Sequence, residues 1–265
     1  MFAKFRLKSS TLKCFLDQLN TNYQLNTDNW TYDVETKRQQ YYQDLLNTVW
    51  CDKKKGILDG RKLKEYVFPS GDRYDVFISY SHDDEKLAMK LAYYLQEYCQ
   101  LNVFLDCYIW NSADALLKAI DDDYCQTPDN KHYYYRSRNY STSQVHALLS
   151  MAILEVINIS ECCIVLDSNN SINLHCLTDP TKAKTLSPWI YEEISFMRLL
   201  PQQAVRKTKY FSHGKALESL TESKKLQIAN PADFNGFEIM TCEDLFHLNQ
   251  DGEDRLDMLY ERHSI

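Results

Sequence analysis

No stretch limits the possible folds of this chain as tightly as residues 73–95, which read as strand, sharp turn and helix. Val76, Phe77 and Ile78 form a short apolar, β-favouring run. Such a run suits a parallel strand buried on both faces, because helices must cover both sides of that kind of sheet. The period then changes: Leu87, Leu91, Tyr94 and Leu95 recur at helical spacing, and Ser81 followed by Asp84 fits a capping box. The turn is therefore Ser79-Tyr80-Ser81. Ligands of open α/β sheets bind beyond the carboxyl ends of strands, which places Tyr80, Ser81 and His82 at the expected site.

Further strand and helix units follow. Residues 102–106 read as a second strand, 145–157 as a helix, and Cys162-Cys-Ile-Val-Leu166 as a buried strand. Ser187 as cap with Pro188 at the first helical position opens another helix. A last strand fits residues 237–241, and terminal helices fit 245–248 and 256–260. The expected fold class is α/β, with a central parallel sheet, helices on both faces and a small N-terminal helical extension. That extension, residues 1–70, carries a helix over 9–23 (Ser10 as cap; Leu12, Phe15, Leu16 and Leu19 on one face) and another over 33–50, ending at a linker, Phe68-Pro-Ser-Gly71. Residues 71–265 form the main domain, with polar insertions near 121–143 and 167–186.

Composition narrows the partners. A chain of 265 residues, 44% of them apolar, can bury a sizeable core. A net charge of -7 disfavours a nucleic-acid surface or a membrane surface, and no run reaches the ~18 apolar residues of a membrane span. The nine cysteines are irregularly spaced, without a Cys-x-x-Cys pair, and Cys162 and Cys163 would face opposite sides of a strand. Reduced thiols and a cytoplasmic location follow. No close His/Cys/Asp set has metal-ligand spacing. In the first insertion, His132, Tyr133, Tyr134, Tyr135, Arg136 and Arg138 could stack on a base and contact phosphate, or stand as a solvated insertion.

The helix opening at Ser187 has distinguishable faces. At about 100° per residue, Ile190, Ile194 and Met197 define a core face, with Glu192 about 160° away in solvent and Glu193 about 60° from it, beside Trp189. An acid held at the edge of a core next to an aromatic ring is of the type whose environment is set for chemistry.

Tyr74-Asp-Val-Phe-Ile-Ser-Tyr80, Val103-Phe-Leu-Asp106, and Ser187-Pro-Trp189 with Glu193 four residues beyond the Trp resemble, in order, the landmarks of a Toll/interleukin-1 receptor (TIR) domain. The resemblance implies a flavodoxin-like fold and, among members that cleave nicotinamide adenine dinucleotide, Glu193 as the catalytic residue. NAD+ is then the substrate and there is no separate cofactor. Tyr80, Ser81, His82, Asp106, Trp110, Ser187 and Trp189 would contact it. Self-association through the TIR domain is implied, as is a Thoeris-like role in antiphage defence in which a separate effector protein senses the product. A single carboxylate suits this chemistry, because nicotinamide leaves as a neutral molecule and needs no proton. Two departures stand out: Ser112-Ala113 replaces the usual loop Gly, and Ser81-His82 replaces the basic residues some members carry there. Phosphate would then fall to first-turn amides, Arg136 or Arg138. A non-enzymatic TIR scaffold and a flavodoxin-like nucleotide binder are the alternatives.

Overall fold

The computed structural model describes residues 3–22, 59–60, 74–105, 117–118, 120–122, 124–129, 131–172, 183–201, 230–248 and 255–265. Its principal sheet holds β1 (Ala3–Lys8), β2 (Val76–Ser79), β3 (Val103–Leu105), β4 (Cys162–Asp167) and β7 (Glu238–Met240). They lie in the order β3-β2-β4-β1-β7, every pair parallel. A second, two-stranded sheet pairs β5 (Lys184–Thr185) with β6 (Asn230–Pro231). Period-two alternation divides the core between two faces. Phe5, Leu7, Ile78, Cys162 and Ile164 join α1 (Ser9–Asn22), α2 (Glu85–Tyr93), α5 (Cys242–His247) and α6 (Arg255–Arg262) on one side. Phe77, Phe104, Cys163 and Val165 join α3 (Tyr135–Ile159) and α4 (Pro188–Leu199) on the other. The α/β class with helices on both faces is thus present, and the two adjacent cysteines do face opposite layers.

The N-terminus corrects the division of the chain at residue 70. Residues 9–22 are helical as expected, but Ala3–Lys8 form an inner strand, hydrogen-bonded to β4 on one side and β7 on the other. Residues 3–22 are therefore part of the domain. Strand order changes with them: the flavodoxin-like order is 2-1-3-4-5, and here the fourth place is taken by the first strand of the chain. The expected helix over 33–50 and the linker at 68–71 lie outside the described residues.

The first insertion is also reassigned. Its second half is the start of α3, which runs unbroken for 25 residues; the first half forms a bridge between Gln126 and Tyr133. Buried Asp121 holds the two together, accepting from Arg138 Nε at 2.9 Å and from Ser141 Oγ. At 1.5 Å per residue α3 is about 37 Å long, against about 20 Å for β4, so its first half runs past the carboxyl edge of the sheet. By length and apolarity α3 could cross a membrane, with mean hydropathy 1.3 over its best window. Here one side of it packs on the sheet through Val145, Leu149, Ile153 and Val156.

The C-terminal helices are tied down through one carboxylate. Asp244 closes a capping box with Thr241 and accepts from Arg262 Nε at 2.8 Å and His263 Nε2 at 3.2 Å. Burial pushes its acidity down, yet the Thr241, Arg262 and His263 hydrogen bonds outweigh this and hold its pKa below the ordinary value. A carboxyl depressed in the folded state contributes stability above its unfolded value, near pH 4, and loses it as pH falls through the folded value. Asp244→Asn is expected to cost about 3 kcal/mol at pH 7 and to flatten the decline of Tm between pH 5 and 3. A variant whose acid limb parallels the parent's would remove Asp244 from the linkage.

Candidate active site

Strand order sets the crevice. The chain leaves β2 for β3 on one side and leaves β4 for β7 on the other, so the order reverses between β2 and β4, and the space beyond their carboxyl ends is where open α/β sheets bind ligands. The loops after these strands are clamped there. Asp84, ending a 3-10 turn (His82–Asp84), accepts hydrogen bonds from Ser168 Oγ and, at 2.9 Å, from Asn170 Nδ2. Ser171 Oγ donates to the Leu166 carbonyl at 2.8 Å. The expected Ser81/Asp84 capping box does not form, because the 3-10 turn separates Ser81 from the helix and the Asp84 carboxylate faces the β4 loop. Ser81 is half-buried and His82 exposed.

The start of α4 matches its sequence. Ser187 Oγ accepts from the Ile190 amide at 3.3 Å, with Pro188 in the first turn. Ile190, Ile194 and Met197 are buried as the helical phase requires. Glu193 departs from expectation: it is fully enclosed, at 0% exposure, and not at the core boundary. The neighbouring rings supply the reason. Trp189, only about 40° farther round the same flank, packs on His146 of α3 with ring centroids 4.9 Å apart. The flank carrying Glu193 is thereby turned into the seam between α3 and α4, where helix, helix and sheet all cover it. Its backbone lies about 7 Å inward from Pro188 along the helix.

Beneath this seam the interior is polar for a core. Cys163 feels the Glu193 charge, although burial is the main cause that pushes its thiol up to about 12, which makes it inert as a nucleophile. Lys4, opposite Cys163 in strand register, donates from Nζ to the Met197 carbonyl at 3.2 Å, one turn beyond Glu193. Burial first, then the nearby Arg198 charge, lowers the Lys4 pKa. One acid and one base are thus held between α4 and the sheet.

The structure separates two of the expected partners. Tyr80 is buried among the α1–α2 core, while Glu193 and Trp189 belong to the α3–α4 layer. Ser79 replaces it: Phe77 points to the α3–α4 layer, so Ser79, two residues on, does too. It is fully buried, and its hydroxyl has no hydrogen-bond partner among the described residues. The same alternation was readable in the sequence. Arg6 was also missed; at the carboxyl ends of β1 and β4 it pairs with Asp167 at 2.9 Å and lies over the Phe234 ring. Arg138 is engaged by Asp121, Tyr134 and Tyr135 are exposed, and Asp106 and Trp110 lie outside the described residues. No family model matches this chain, and searches of curated proteins and of solved structures returned no match.

Proposed function

We propose that this chain is a TIR-type NAD+ nucleosidase that breaks the bond between ribose C1′ and the nicotinamide nitrogen, with Glu193 as the acting carboxylate. The observation carrying this reading is Glu193 itself. An enclosed acid costs stability that an apolar residue on the same helix face would not, so its place between Ile190 and Ile194 in the seam between α3 and α4 points to chemistry. Motif order supports the family: β2, β3, β4 and β7 keep the relative order of a flavodoxin-like sheet, with β1 in the remaining place. The carboxylate stabilises positive charge on the ribose as neutral nicotinamide leaves. Trp189, half-buried at the start of α4 with its ring tilted 51° to that of His146, offers an aromatic face for the pyridinium ring. A closed seam also shields the ribosyl cation from water. The product then contains a species other than linear ADP-ribose, suited to a diffusible signal in phage defence.

Incubating the full chain with NAD+ and following nicotinamide by chromatography tests the activity; absence of release at concentrations where the protein self-associates overturns it. The second reading is a scaffold acting by self-association. The aromatic and apolar side chains exposed along α3, Tyr135, Tyr140 and Met151, favour it. A protein that oligomerises but releases no nicotinamide would establish that reading.

Ser79 gives a test that separates binding from packing. A buried hydroxyl without a partner costs about 1–3 kcal/mol. Ser79→Ala is expected to raise the Tm of the free protein by a few degrees and to shrink the Tm shift produced by NAD+. A lower Tm with an unchanged NAD+ shift would make Ser79 a packing residue only.

A further inference from the structure

Most cysteines of known position are isolated. Cys99, Cys125, Cys162 and Cys163 are buried, and the adjacent pair faces opposite layers. Cys14 and Cys242 differ. Cys14 is exposed on α1, and Cys242, the first residue of α5, is half-buried against the same core layer. The two helices follow β1 and β7, which are neighbours in the sheet, and they pack against each other. Cys242 Sγ donates to the Thr11 carbonyl at 3.2 Å. A helical side chain leans over the turn N-terminal to its own Cα, so the Cys14 sulfur covers that same turn. Both sulfurs therefore lie on the Thr11 turn, where α1 and α5 pack. Gln18 Nε2 also donates to Cys14 Sγ at 3.3 Å, fixing the exposed member.

We infer that Cys14 and Cys242 form a redox-reactive dithiol, a modification site that peroxides convert to an intramolecular disulfide. The exposed Cys14 sulfur attacks the peroxide; an S–O bond forms, the O–O bond breaks, and water leaves with the thiol proton. Cys242 sulfur then attacks the sulfenic sulfur of Cys14, forming the S–S bond and expelling the oxygen as a second water. Two thiols are oxidised by two electrons and one peroxide is reduced. The new bond clasps the helix after β1 to the helix after β7. It closes most of the chain into one loop, which constrains the unfolded state and raises Tm.

The test treats the reduced full chain with one equivalent of hydrogen peroxide at neutral pH and maps its peptides without reductant. The expected result is a Cys14–Cys242 linked peptide pair, lighter by two hydrogens than the sum of its parts, with Tm raised by several degrees and both effects reversed by dithiothreitol. Cys14→Ser, at an exposed position, is expected to fold and lose both effects, whereas Cys99→Ala is expected to keep them. Cys14 recovered as sulfinic acid, joined to any other cysteine, or linked between two molecules overturns the inference.

Discussion

Glu193→Gln is expected to suppress nicotinamide release by at least on the order of 10²–10³-fold, the usual loss when a group that stabilises transition-state charge is removed. Glutamine keeps the shape of the side chain and removes only its ionisable oxygen. The seam between α3 and α4 therefore stays filled, with no cavity beside Ile190 and Ile194. Stability is expected to change little, since the substitution conserves side-chain volume. Falling activity with a Tm near the parent's separates a catalytic loss from a folding defect. Glu192, next in sequence but partly exposed, is the control, and Glu192→Gln is expected to stay within about twofold, as surface substitutions do. Equal turnover in the parent and the Glu193 variant would remove the carboxylate from the reaction and leave the scaffold reading.

The residues that could be placed in advance obey short-range rules. Ser187 caps α4 and Pro188 starts it because both effects act within one turn, and the phase of Ile190, Ile194 and Met197 follows from helix geometry alone. Val76–Ser79 and Cys162–Asp167 announce themselves as buried strands because both of their faces are apolar or small. Glu193 lies beyond such rules. Its phase was right, but whether a flank 60° from the core meets solvent depends on where α3 lies, and that is fixed by contacts such as His146 with Trp189. Residues 135–143 looked like loop for a similar reason. They are polar, and what holds them in a helix is Asp121, bonded across the intervening turn to Arg138 and Ser141.

β1 was hidden by its own charges. A central parallel strand normally reads as a continuous apolar run, whereas Ala3–Lys8 alternates Ala, Phe and Leu with Lys, Arg and Lys. The charged side is acceptable in the interior only because Lys4 reaches the Met197 carbonyl and Arg6 reaches Asp167, partners far along the chain.

Deletion of residues 1–22 is accordingly expected to abolish cooperative folding, where a peripheral extension would come off without loss. Without β1, the β4 and β7 edges lose their common hydrogen-bonding neighbour, and the buried side chains of Phe5, Leu7, Leu12, Phe15 and Leu19 leave the α1 layer open. Phe5 alone measures the effect. It is fully buried and meets His263 edge to face at 5.2 Å, and Phe5→Ala is expected to cost about 3–5 kcal/mol, a large part of the roughly 5–15 kcal/mol that holds a domain together. Lys8→Ala, at the exposed end of the same strand, is expected to change stability by less than about 0.5 kcal/mol. Urea titrations followed by circular dichroism compare the three. A truncated chain that still unfolds in a single transition near the parent midpoint would mean that β1 contributes nothing the remaining strands cannot supply, and the Phe5→Ala loss would have to vanish with it.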